Sequence, residues 1–255
     1  MQAHERLTAA VKSANDDGRT ALVPFVTAGY PEPAEFISTL KAIAAVGDVV
    51  EIGIPFSDPM ADGMTIQRSS FVALQKGVSL EWIFAQLESA GEIDTPLVMM
   101  SYLNPLLAFG YEELARRAAS TGVCAFIVPD LPFEECAEIR AALEAEGVGL
   151  IQLVTPATPD DRLAMLADAS KGFVYAVTVT GITGGGTGLP SGLADYLDKV
   201  ARLSALPVCA GFGIREAADV ANVGQHAAGA IVGSALVEVL ENNNDPADYL
   251  DSLRP

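Results

Sequence analysis

Two acidic residues stand where their chemistry draws notice. Glu51 lies inside the apolar run VVEIGIPF (49–56), flanked by Val49, Val50, Ile52 and Ile54. A carboxylate in such surroundings loses its hydration, so it must either find partners or take up a proton as its pKa rises. It reads as a structural glutamate hydrogen-bonded to neighbouring strands, or as a general acid or base tuned towards neutrality by its apolar setting. Asp62 follows in the loop SDPMADG (57–63). Loop aspartates commonly cap helices or close turns, and spacing alone does not separate that role from a chemical one.

Glycines supply a second kind of site. AGFGIRE (210–216) and GAIVGSALVEV (229–239) offer Gly213, Gly233 and Ser234, which could bring backbone N–H groups and a hydroxyl against a phosphate. Tight strand-to-helix turns would use the same glycines. TGITGGGTGLPSG (180–192), with six glycines in thirteen residues, reads as a lid, and its Gly184 could reach the same anion. What is missing narrows the chemistry further. The five lysines, Lys12, Lys41, Lys76, Lys171 and Lys199, avoid the carboxyl ends of the strands assigned below, where a Schiff-base lysine would sit. The two histidines, His4 and His226, are far apart in sequence, which disfavours a histidine-bound metal, and no metal site is expected. A phosphorylated substrate would have to react through carboxylates and bring its own electron sink.

The elements that must position these groups are legible as an alternation. Eight runs rich in Val, Ile and Phe, at 21–29, 49–56, 96–102, 124–130, 149–156, 172–180, 207–213 and 229–236, are separated by segments with helical periodicity. Phe36, Leu40, Ile43 and Ala44 form one stripe in a helix expected to stop at Gly47; Leu80, Ile83, Phe84 and Leu87 form another, and Cys136, Ile139 and Leu143 a third. Leu193, Leu197 and Val200 repeat the arrangement. Continuous apolar strands alternating with one-sided helices imply a parallel sheet covered by helices, and eight units in 255 residues imply a closed (β/α)8 TIM barrel, a single domain over 1–255. An extra N-terminal helix, with Leu7, Val11 and Ala14 on one face, should close the bottom of the barrel. Catalytic groups then belong at the carboxyl ends of the strands. The 39 residues between the second and third strands (57–95) are long for one connection, as expected where lids and partner contacts arise.

Composition excludes several classes. With 33 acids against 15 bases the formal net charge is −18, which argues against nucleic-acid and anionic-membrane binding. Neither a signal-peptide core nor a run of 18 apolar residues occurs in the sequence, so a soluble, cytoplasmic protein is expected. Cys124, Cys136 and Cys209 are widely spaced and read as buried thiols.

Several segments, in order, resemble the tryptophan synthase alpha subunit family: PFVTAGYP (24–31), EIGIPFSDPMADGMTIQ (51–67), MSYLNP (100–105), VPDLP (128–132), GITG (181–184), GFGI (211–214) and GSA (233–235). The resemblance implies a TIM-barrel lyase of L-tryptophan biosynthesis that cleaves indole-3-glycerol phosphate to indole and D-glyceraldehyde 3-phosphate by a retro-aldol reaction. By the same matching Glu51 is the acid/base that protonates indole C3, and Asp62 accepts the indole N–H. Phe25, Met100, Tyr102, Tyr175 and Phe212 would line the indole slot, although core packing is an equally good reading of Phe25 and Met100. Thr183 would close the lid over Asp62, while Gly184, Gly213, Gly233 and Ser234 would hold the phosphate. The family works as an αββα heterotetramer, so a β subunit partner is implied, touching Pro55, Asp58, Pro59, Asn104, Pro105 and Asp130. Pyridoxal phosphate is expected only in that partner, and no cofactor in this chain. Met64 and Phe133 replace prolines usual in the family, and GGGTG (184–188) replaces a lid segment that commonly carries Ala-Arg, which should make the lid looser and the isolated chain weakly active. A stand-alone indole-3-glycerol-phosphate lyase, a catalytically weak allosteric barrel subunit and another phosphate-binding barrel are the alternatives.

Overall fold

The structure is a computed structural model that describes residues 1–178, 192–211 and 213–254. Among these the strands are β1 (Ala21–Thr27), β2 (Val50–Gly53), β3 (Leu97–Met100), β4 (Val123–Ile127), β5 (Gly149–Ile151), β6 (Leu153–Val154), β7 (Val174–Val177), β8 (Val208–Gly211) and β9 (Gly229–Val232). All pair in parallel, in the order β5-β4-β3-β2-β1-β9-β8-β7-β6. The two end members, β5 and β6, are halves of one run interrupted at Gln152, so eight strand runs close into the expected barrel. The interruption has a local cause. The hydroxyl of Ser170 accepts the Gln152 N–H at 2.9 Å and donates to the Phe173 carbonyl at 2.6 Å, taking the Gln152 donor out of the ladder.

The helices are α1 (Ala3–Asp16), α2 (Phe36–Ala44), α3 (Met64–Gln75), α4 (Leu80–Ala90), α5 (Leu103–Phe109), α6 (Tyr111–Ser120), α7 (Ala137–Ala145), α8 (Asp160–Ala169), α9 (Leu193–Leu203), α10 (Ala217–Gly224), α11 (Ser234–Glu241) and α12 (Pro246–Ser252). The residues of each expected stripe are buried. Gly47 differs from expectation. α2 ends three residues earlier, and Gly47 lacks the positive φ of a left-handed cap. A side chain there would instead approach the Pro24 ring to 2.8 Å, so its smallness serves packing.

Strand side chains alternate between two cores, as a period of two requires. Leu22, Val26, Val50, Ile52, Leu97, Met99 and Val174 face outward into the layer beneath the helices. Ala21, Val23, Val98, Ala125, Ile151, Phe173 and Ile231 fill the barrel interior together with Leu7, Val11 and Ala14 of α1. The N-terminal helix therefore plugs the bottom. It is fastened there by the Thr8 hydroxyl donating to the Gly172 carbonyl at 2.6 Å and by Asn15 donating to the Ala228 carbonyl at 2.8 Å. Leu7 is fully buried, so Leu7→Ala should cost about 2–5 kcal/mol through lost transfer energy and an unfilled cavity. Urea titration reads this directly, and a loss below about 1 kcal/mol would remove the plug from the account.

Glu51 shares the parity of the interior residues. It pairs in register with Phe25 on one side and Val98 on the other, so its side chain is directed into the barrel. No helix among the described residues is long and apolar enough to cross a membrane.

Candidate active site

The carboxyl ends of the strands surround a cavity of about 220 Å³. Glu51 at its floor is 1 % exposed, and among the described residues neither carboxyl oxygen has a hydrogen-bond partner. This removes the reading of Glu51 as a hydrogen-bonded structural strut. Burial pushes its pKa from 4.5 up to about 8, with the nearby Asp62 charge adding to the shift. At neutral pH the group is therefore a carboxylic acid with a proton to give.

Asp62 reaches the same cavity from the loop that precedes α3. It does not cap that helix, whose N-cap is Gly63 with no side-chain hydrogen bond. Tyr102 holds it instead. The phenol donates to Asp62 Oδ2 at 3.0 Å and accepts the Ala61 N–H at 2.8 Å, while its ring stacks on Phe56 with centroids 5.1 Å apart. Tyr102 thus stands behind Asp62 and is not one of the cavity-lining side chains. Burial raises the Asp62 pKa and the Tyr102 hydrogen bond opposes the rise. Asp62 itself is half-buried. What separates the two carboxyl groups is partnership: Asp62 has a donor for its ionised form and Glu51 has none among the described residues.

α3 carries this loop and is itself tied to the barrel. Thr27 Oγ1 and Ser69 Oγ lie 2.6 Å apart in a buried contact, and the Ser69 hydroxyl also meets the Ile66 carbonyl. The long connection after β2 is thus two helices, α3 and α4, with Asp62 at the entrance of the first.

Phe25, Met100 and Tyr175 line the cavity, and Phe25 and Met100 also pack against Val237, Tyr30 and Ile66. The two side chains are thus both cavity-lining and packed among apolar neighbours. Glycines make room for the rings: a Cβ at Gly53 would lie 2.3 Å from Phe25 Cζ, and one at Gly211 would lie 2.7 Å from the Tyr175 hydroxyl. Gly53→Ala is expected to drive the Phe25 ring into the cavity, costing about 1–3 kcal/mol in stability. It should also raise KM for any planar ligand held there. Thermal melts with ligand titration check both, and an unchanged KM would put Phe25 outside the binding slot.

α11 follows β9, one strand removed from β2 in the sheet, and starts at Ser234 after the N-cap Gly233, which has no side-chain cap. The first-turn N–H groups of a helix lack intrahelical partners and carry the positive end of its dipole, which suits an anion. Gly213, Gly233, Ser234 and Ala235 line the cavity on this side. Thr183, Gly184 and Phe212, expected in the lid, phosphate and indole positions, lie outside the described residues. Sequence reading missed Arg215, Pro129, Leu153 and Thr178, which also line the cavity. No spacing rule marks them, because they converge from four different loops and strands.

The residues expected at a partner surface follow β2, β3 and β4, which are adjacent in the sheet. Asp58 and Asn104 are exposed, Pro59, Pro105 and Asp130 are half-buried, and Pro55 is buried and offers no surface in this conformation. Asp130 has an internal task as well, accepting the Leu103 N–H at the start of α5 at 2.9 Å. Among the described residues no group of three or more His, Cys, Asp and Glu is placed to hold a metal ion.

Fold and site define a (β/α)8 barrel whose mouth brings two carboxyl groups, Glu51 and Asp62, and the N-terminus of α11 to one cavity. Comparison with known proteins refines that class. The family model described as tryptophan synthase alpha chain matches residues 11–253. The tryptophan synthase alpha chain of Roseiflexus castenholzii is 46% identical over 236 residues, 91% of this chain and 90% of that one. The alpha chain of Desulfovibrio desulfuricans is 43% identical over 244 residues, covering 94% and 96%. Among solved structures, tryptophan synthase from M. tuberculosis in its open form superposes with a TM-score of 0.88 at 33% identity, covering 97% of this chain and 96% of that chain. The chain belongs to the tryptophan synthase alpha chain family. The resemblance seen in the sequence segments is thereby borne out.

Proposed function

We propose that this chain cleaves indole-3-glycerol phosphate to indole and D-glyceraldehyde 3-phosphate, with Glu51 and Asp62 as its catalytic residues. One observation carries the reading: a buried carboxyl group, without a hydrogen-bond partner among the described residues, on a cavity that a helix N-terminus also lines. The Glu51 acid protonates indole C3, turning the ring into an iminium-like electron sink. The resulting carboxylate then takes the proton of the adjacent glycerol hydroxyl as its C–O becomes a carbonyl. The bond between that carbon and indole C3 breaks, its electrons restoring the aromatic ring, and Glu51 is left protonated by the hydroxyl proton it took. Asp62, held by Tyr102, accepts the indole N–H and opposes the positive charge that develops on the ring nitrogen. Phe25, Met100 and Tyr175 bracket the indole, and Gly213, Gly233 and Ser234 donate to the phosphate, with Gly184 added to the phosphate set, Thr183 to the lid and Phe212 to the indole slot by family likeness alone.

The partner belonging to this reading is a β subunit that binds pyridoxal phosphate and receives the indole. It would meet the arc after β2, β3 and β4, where Asp58 and Asn104 are exposed and where Met60 (82 % exposed) and Leu107 (58 % exposed) add apolar surface. The test is an assay for indole release from indole-3-glycerol phosphate by the chain alone and with a β subunit. Slow release that accelerates on adding the β subunit is expected. No release under either condition would overturn the reading, and fast release indifferent to the β subunit would favour a stand-alone lyase.

A further inference from the structure

Among the described residues lining the cavity, Arg215 is the one basic side chain, in a protein of net charge −18 and at a mouth that already holds two carboxyl groups. Its main chain is fixed from both sides. The Arg215 N–H donates to Asp219 Oδ2 at 2.9 Å, and the Arg215 carbonyl accepts from the Tyr249 hydroxyl at 3.1 Å. Its side chain is held far less firmly. The guanidinium pairs with Glu238 at 2.8 and 3.2 Å, but Arg215 is 60 % exposed there and Glu238 35 %. Ion pairs this open to water contribute little and are readily exchanged. Glu238 lies one helical turn beyond Ser234 on α11, so the pair sits near the N-terminus whose first residues line the cavity. A guanidinium also matches phosphate geometry better than it needs to match a single carboxylate, offering several donors in one plane.

We infer that Arg215 is a ligand of the substrate's phosphate, parked on Glu238 when the cavity is empty and turned to the anion when it is filled. The inference rests on the phosphate cradle of the proposed function and adds a charged member to a set otherwise made of backbone donors and one hydroxyl. That the cavity is built for a ligand has independent support in Glu51, a buried polar side chain lining it without a hydrogen-bond partner among the described residues. Glu238 then has a definite role. It keeps an exposed arginine in place near the mouth and competes with the phosphate for it.

That competition separates a ligand from a structural strut. Binding of inorganic phosphate to the full chain is measured by equilibrium dialysis for the wild type, Arg215→Gln, Arg215→Lys and Glu238→Gln, with circular dichroism confirming the fold of each. Arg215→Gln is expected to weaken binding about tenfold and Arg215→Lys less, since a lysine retains the charge without the planar fork. Glu238→Gln should leave affinity unchanged or raise it several-fold. In turnover, Arg215→Gln should raise KM with kcat within about threefold, as for a group that holds ground and transition states alike. Arg215→Gln binding within twofold of wild type, or an equal loss in Arg215→Gln and Glu238→Gln, would overturn the inference and leave the cradle intact. Failure of the wild type to bind phosphate at all would remove the cradle and the inference with it.

Discussion

Glu51→Gln is expected to lower turnover about 10³-fold, within the usual range for loss of a general acid that also returns as a base, while making the protein more resistant to alkali. The two effects share one origin. Glu51 is buried without a hydrogen-bond partner among the described residues, and burial pushes its folded-state pKa up to about 8 from an ordinary 4.5. Between those values the folded chain holds a proton that the unfolded chain has released. Stability is therefore complete below pH 4.5 and is lost as the pH rises through about 8, by about 5 kcal/mol in all. Glutamine keeps the volume and neutrality of the protonated acid and removes that dependence. Urea midpoints of the two proteins should coincide near pH 5 and diverge by pH 9, with the variant higher. The same titration limits catalysis: kcat/KM of the wild type should fall tenfold per unit above about pH 8, because the free enzyme must carry the proton it donates. Turnover of Glu51→Gln within tenfold of wild type, or matching alkaline stabilities, would detach Glu51 from both roles.

Asp62→Asn is expected to lower kcat about 10²–10³-fold, the scale for removing one preorganised group opposite developing charge. Asparagine can still accept the indole N–H, so KM should change little, and the loss isolates the negative charge from the hydrogen bond. A second consequence follows from the neighbouring acid. Asp62 contributes to the raised pKa of Glu51, so neutralising it should move the alkaline limb of the rate profile to lower pH. A KM that rises while kcat holds would make Asp62 a binding group only. Tyr102 is the residue through which the position of Asp62 is set, its phenol 3.0 Å from the carboxylate.

Much of this was legible in the sequence, for reasons that can be named. Parallel strands buried on both faces read as continuous apolar runs, so the eight units and the place of Glu51 within the second were visible. The helices with apolar stripes were visible too, α4 through Leu80, Ile83, Phe84 and Leu87. α3 was not, because its buried face is Ser69, Ser70 and Ala73 while Met64 and Phe71 face solvent, the reverse of an amphipathic pattern. Its polar inward face exists to meet Thr27. The split of the fifth strand was hidden because the hydroxyl that causes it, Ser170, lies 18 residues away. Glycine pairs after the last two strands pointed to the anion side, yet Arg215 did not stand out, since a single arginine in AGFGIRE has no period or motif. The role of Tyr102 behind Asp62 needed the fold, which brings together residues 40 apart in the chain.

The measurement closest to the central claim is the protonation state of Glu51 in the free protein, read as an infrared difference spectrum between wild type and Glu51→Gln over a pH series. A carboxylic acid carbonyl band present at pH 7 and lost as the pH passes about 8 is the expected result. Carboxylate bands already complete at pH 6, with no change up to pH 9, would contradict it.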